Sequence, residues 1–122
     1  MGIQIIKVAP DQDLYLEWSS VVDAPTRVGT RAEFVAYLNE PRRGEEWMPA
    51  EQIEARLRRA DETGSSAYRP FAVDWNHTGP MYQQQGTLPR HRLTEYAQRL
   101  LADIDAEPGD LLEPFEDERT RP

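Results

Sequence analysis

The chain has 122 residues, no cysteine and a formal net charge of −8. That length buries one modest core and leaves no room for separate substrate and cofactor domains. The charge argues against a large basic nucleic-acid footprint, and the lack of cysteine removes disulfides, thiolate chemistry and cysteine-ligated metals.

Ile3-Gln4-Ile5-Ile6-Lys7-Val8 is a compact apolar run rich in β-branched residues and predicts a first strand. Its consecutive isoleucines, Ile5 and Ile6, point to opposite faces, so both faces are at least partly covered. Ala9-Pro10-Asp11-Gln12 has turn chemistry, which makes the first two strands an antiparallel hairpin. The second strand runs from Leu14 to Val22, with Leu14, Leu16, Trp18, Ser20 and Val22 on one face and Tyr15, Glu17, Ser19 and Val21 on the other. It is expected to stop at Asp23-Ala24-Pro25, because proline cannot donate to a ladder.

Thr30-Arg31-Ala32-Glu33 is a capping box that starts a helix from Arg31 to about Glu40, with Phe34, Val35 and Leu38 toward the core. Pro41 ends it. A polar loop follows, carrying Trp47 and Met48 at its end. Pro49 suits a first helical position and Glu51 suits a first turn, so a second helix runs to about Glu62 and ends at Gly64. Its stripe of Ala50, Ile53, Leu57 and Ala60 is narrow, and Glu54 and Arg58 are spaced to pair.

Pro70-Phe71-Ala72-Val73-Asp74-Trp75 reads as a third strand, with Asn76-His77-Thr78-Gly79-Pro80 as a turn. Met81 to Gly86 has no assignment beyond a short helical turn. Leu93, Tyr96, Ala97, Leu100, Leu101 and Ile104 keep a broad helical stripe between Pro89 and Pro108. The expected fold is therefore α+β: a small, mostly antiparallel sheet of about three strands packed against three helices in ββααβα order, the helices on one side. Residues 1–106 form the domain, and 107–122 form an acidic, proline-containing tail holding half of the net charge.

Candidate chemistry centres on Asp74 and His77 at the end of the third strand, with His91 beyond. A carboxylate and an imidazole three residues apart can share a proton or hold a metal, with Ser19, Ser20 or Tyr82 as conceivable partners. The alternative is that Asp74 and Asn76 satisfy backbone groups of a turn. Acidic calcium loops and glycine-rich phosphate loops are missing, so no cofactor and no metal are expected.

Trp47 either staples its helix to the body or anchors a partner. In the tail, Leu111, Leu112 and Phe115 are interleaved with acids. Such a group suits docking on a basic, apolar groove, or on the chain's own sheet. The expected function is a small non-catalytic accessory module that binds another protein through this tail, the Trp47 loop or a sheet edge, with homodimerisation as a further use of an edge. Two other classes stay open: a small hydrolase-like or metal-dependent enzyme using Asp74, His77 and His91, and an acidic mimic of nucleic acid. Twelve basic residues mixed among sixteen acids before residue 107 dilute the continuous negative face that mimicry needs. Direct nucleic-acid or membrane binding is not expected. No apolar run approaches the roughly 18 residues of a membrane span, and the N-terminus lacks a signal pattern, so a cytoplasmic protein is the simplest expectation.

Overall fold

The computed structural model describes residues 3–40, 49–68 and 72–114. Three antiparallel strands form the sheet in the order β1 (Ile3–Lys7), β2 (Tyr15–Ser19), β3 (Ala24–Gly29). Helices α1 (Arg31–Asn39) and α2 (Ala50–Thr63) follow, then a two-stranded hairpin, β4 (Met81–Tyr82) and β5 (Gly86–Thr87), and α3 (Leu93–Ala102). The fold is a small α+β fold with a three-stranded antiparallel sheet and three helices, roughly in the expected order.

The third strand of the sheet is not the expected one. Pro25 is the second residue of β3 rather than the end of the sheet, because β3 is an edge strand on which a missing N–H is tolerated. A bulge between Glu17 and Trp18 absorbs the irregularity in the β2–β3 register. Residues 72–75, expected as a strand, join no ladder among the described residues.

The helices also cover both faces rather than one. Every residue of the central strand β2 is buried. On one face, Ile5 and Tyr15 meet Phe34 and Leu38 of α1 and Ile53 and Leu57 of α2. On the other, Ile6, Leu16 and Trp18 meet Leu93, Tyr96 and Leu100 of α3, with Tyr82 and Leu88 from the hairpin region. The opposed isoleucines at positions 5 and 6 thus serve two separate cores.

Local chemistry explains the helix ends. The Thr30 hydroxyl accepts from the Glu33 N–H at 3.2 Å, and the Glu33 carboxylate accepts from the Thr30 N–H at 2.8 Å, completing the capping box. Gly64 closes α2 in the left-handed region at φ 101°, where a side chain would also strike the Arg90 guanidinium and the Trp75 backbone. Beyond it the chain runs antiparallel to β1: Lys7 N–H donates to the Gly64 carbonyl at 3.0 Å, and Ser66 N–H donates to the Ile5 carbonyl at 2.9 Å. That segment occupies the outer edge of β1.

The acidic C-terminal segment is described as far as Pro114. A short 3-10 turn at Gly109–Leu111 drops Leu111 into the core beside α3. Thr87 and Glu113 then exchange two backbone hydrogen bonds of 2.8 Å, so the segment pairs with β5. No helix among the described residues is long and apolar enough to cross a membrane.

Candidate functional site

Arg90 organises the irregular half of the molecule. It follows Pro89 at the turn leading into α3, and its side chain points back under the 73–75 segment. The guanidinium donates to four carbonyl oxygens: Asp74 at 2.7 Å, Gly64 at 3.0 Å, and Val8 and Val73 at 3.2 Å. It also stacks over the Trp75 ring at 4.6 Å. Burial lowers its pKa to about 10, against the raising effect of Asp74, so the group keeps its charge at neutral pH. One side chain therefore ties the end of β1, the C-terminus of α2 and the 73–75 segment together. Two of these carbonyls also accept backbone hydrogen bonds, Gly64 from the Lys7 N–H and Asp74 from the His77 N–H, both at 3.0 Å.

The 76–79 turn sits above this clamp. Asp74 accepts from the Asn76 N–H at 3.0 Å, the turn-satisfying arrangement weighed for it above. The Gly79 N–H donates to His77 Nδ1 at 3.0 Å. A backbone amide only donates, so Nδ1 is the unprotonated nitrogen and Nε2 carries the proton in neutral His77. Gly79 itself has φ 143°, and a Cβ there would overlap the Leu88 carbonyl oxygen, so the turn depends on glycine.

His77 and His91 border one cleft of about 590 Å3, with Thr78, Arg90, Thr94 and Glu113 among its walls. Apolar surface comes from Pro10, Trp75 and Pro89. Asp74 does not face this cleft; it borders a neighbouring cavity of about 470 Å3 with Arg59, Tyr68 and Trp75. Of the three candidate residues, the fold thus brings the two histidines together and turns the carboxylate aside. No group of three or more His, Asp or Glu arranged to hold a metal occurs among the described residues. Ser19 is buried in the sheet and Tyr82 in the core, away from that cleft, while Ser20 lines a third cavity that His77 also borders.

No family model, curated protein or solved structure matches this chain.

The candidate docking residues divide in the same way. Leu111 is 1% exposed and is not available to a partner while the fold is intact. Leu112 is partly buried against the same core. Trp47 and Phe115 lie outside the described residues. Exposed apolar surface appears instead at the β2–β3 tip, where Val21 is 74% and Val22 52% exposed. Ser20 and Asp23, on either side of these valines, share a cavity of about 420 Å3 with Met81 of β4. Met81 is 49% exposed, and Ile3, paired with Ser19, is 46% exposed at the same end of the sheet.

Sequence reasoning passed over Arg90 and the valine pair. Both carried a signal. Arg90 directly follows a proline inside a basic triplet, and Val21-Val22 abuts Asp23-Ala24-Pro25, where a hairpin tip ordinarily carries small polar residues.

Proposed function

We propose that the protein is a small non-catalytic interaction module that docks on another protein through the apolar end of its sheet. The observation that supports this reading is the exposed Val21-Val22 pair beside Met81 and Ile3. Two β-branched apolar side chains in water contribute nothing to a turn, and grouped exposed apolar residues are the ordinary mark of an interaction surface. The other routes have less in their favour. The β1 edge is already paired with residues 64–66, and β3 carries Pro25 and faces a bulge, two features that discourage strand addition. In the tail, Leu111 faces inward.

The partner we infer is a protein with an apolar recess and a basic rim. A chain of net charge −8 repels a second copy of itself and attracts such a surface. A second reading, a small hydrolase-like or metal-dependent enzyme, has two observations on its side: His77 and His91 share a cleft, and His77 shares another cavity with Ser20. Asp74, which that reading needs, borders a different cavity. For mimicry of nucleic acid, the ion pairing of Glu54, Asp61, Glu95 and Asp110 with arginines leaves them poor stand-ins for phosphates.

The test compares the full chain with Val21→Ser/Val22→Ser and with Leu101→Ser, a control at an exposed apolar residue elsewhere. A partner captured from native extract is purified and titrated against all three. A basic partner that binds the wild-type and Leu101→Ser chains equally, and the double variant at least about tenfold more weakly, supports the reading. Equal binding by all three chains sinks it. So does a wild-type chain that elutes as a dimer and becomes monomeric in the double variant, which would make the surface one of self-association.

A further inference from the structure

The cleft holding the two histidines has a chemistry of its own, independent of the docking surface. Its ionisable walls are Arg90, His77, His91 and a single carboxylate, Glu113. The nearby Glu95 is drawn outward by Arg92 at 3.8 Å and Arg99 at 3.5 Å, and Asp74 borders the adjoining cavity. In a chain of net charge −8, one arginine against one carboxylate leaves this cleft without the acidic excess of the rest. The volume, about 590 Å3, lies in the range of small-molecule sites.

The donors point to the kind of ligand. Because Gly79 N–H occupies His77 Nδ1, the free nitrogen, Nε2, is an N–H donor rather than a lone pair. Such a group suits an acceptor oxygen and is poorly set to ligate a metal, which needs the lone pair. Thr78 and Thr94 add hydroxyls, and Arg90, fixed by its four carbonyls, supplies charge that does not move. Preorganised cationic and hydroxyl donors around a common space are the usual means of binding a tetrahedral oxyanion. Pro10, Trp75 and Pro89 offer an apolar wall for whatever the oxyanion is attached to.

We propose that the cleft between the β1–β2 connection, the 76–79 turn and the start of α3 binds phosphate or a small phosphomonoester, with His77 and His91 as donors and Arg90 as the fixed positive charge. The isotope-labelled full chain is titrated with inorganic phosphate and, separately, with glycerol 2-phosphate, at ionic strength held constant with sodium chloride. Backbone resonances of Gly79 and Thr94 are followed together with the histidine rings. Saturating shifts at both places are expected. The His77→Asn/His91→Asn variant is expected to weaken binding by about tenfold or more, as loss of donors to an ionised oxygen does, without lowering the melting temperature. Asparagine places its Oδ1 where His77 Nδ1 accepts from the Gly79 amide, so the turn keeps its acceptor while the Nε2 donor is lost. Equal affinity for the two ligands identifies phosphate itself, and tighter binding of glycerol 2-phosphate identifies the ester class. Linear shifts without saturation for both ligands, or unchanged affinity in the double variant, overturn the proposal.

Discussion

On the face of the sheet covered by α1 and α2, Ile5 and Tyr15 pack against Phe34, Ile53 and Leu57, and the rim of that layer is laced with charge. The Tyr15 hydroxyl donates to Asp61 at 2.5 Å; Lys7 and Arg31 each approach the same carboxylate at 3.4 Å; and Arg31 grips Glu54 with two hydrogen bonds of 3.1 Å. Even a buried carboxylate, Glu17, lies on this face, accepting from the Thr26 hydroxyl at 2.7 Å. The opposite face is built differently. Trp18, Tyr82 and Tyr96 meet edge to face with ring centroids 6.4 to 6.5 Å apart, and the Trp18 indole N–H and the Tyr96 hydroxyl donate to the backbone carbonyls of Met81 and Ala106. Polar pairing therefore positions one layer and apolar packing secures the other. The two should respond differently to substitution.

The largest effect falls on the apolar face. Trp18→Ala removes both aromatic contacts and the hydrogen bond to Met81, and about 3–5 kcal/mol of unfolding free energy is the expected loss, read from urea denaturation. On the polar face, Tyr15→Phe keeps the ring packed against Phe34 and removes only the hydroxyl, so a loss of about 1 kcal/mol is expected. A Trp18→Ala chain no less stable than Tyr15→Phe would mean the faces do not differ in this way.

The pH dependence sharpens the same contrast at intermediate size. Burial raises the Asp61 pKa, but the Tyr15 hydroxyl, Lys7 and Arg31 outweigh it and hold the carboxyl below its usual value. A depressed carboxylate contributes stability that is present above the unfolded pKa, about 4, and is lost as pH falls through the folded value. Tyr15 and Tyr96 are both raised, chiefly by burial. A raised phenol contributes stability that is complete below about 10 and is lost as pH climbs past it. Tyr15→Phe should thus soften the acid limb of the stability curve, by removing a hydrogen bond to Asp61. It should leave part of the alkaline limb, which Tyr96 maintains from the other face. An alkaline limb abolished by Tyr15→Phe would contradict that division.

Much of this architecture was legible in the residues, and the exceptions have physical causes. The capping box at Thr30, the stop at Gly64, the turn at Ala9–Gln12 and the stripe of α3 all follow from local chemistry that packing did not override. β3 was missed because Pro25 bars a central strand but not an edge strand, and a sequence does not say which strand will lie at the edge. Val73 and Trp75 suggested a strand by alternation alone. Val73 does enter the core, but Trp75 lies under a guanidinium and donates to the Glu62 carbonyl at 3.0 Å. Leu101 and Ile104 extended the apparent stripe of α3, yet both stay about half exposed: Leu101 lies beside the buried face of Leu93, Tyr96, Ala97 and Leu100, and Ile104 lies beyond the helix end at Ala102. Of the candidate site, the separation of Asp74 from the histidines follows from the Arg90 clamp. That is a contact between residues sixteen positions apart which no spacing rule anticipates.

The smallest expected effect concerns the acidic segment that closes the apolar face. Arg99 and Asp110 form the shortest ion pair described in the chain, with two hydrogen bonds of 2.6 and 2.8 Å, and Arg99 holds the Asp110 carboxyl down at about 2. Geometry that good suggests an anchor, but both groups are open to water, where solvent screens the attraction and ordering two side chains offsets the rest. The anchors are Leu111, buried against α3, and the Thr87–Glu113 backbone pair. Asp110→Asn should therefore leave the urea midpoint unchanged within error, whereas Leu111→Ala should lower stability by about 2–4 kcal/mol. If Asp110→Asn destabilised the chain as much as Leu111→Ala, ion pairing would be securing the apolar face as well, and the contrast between the two faces would fail at its most exposed point.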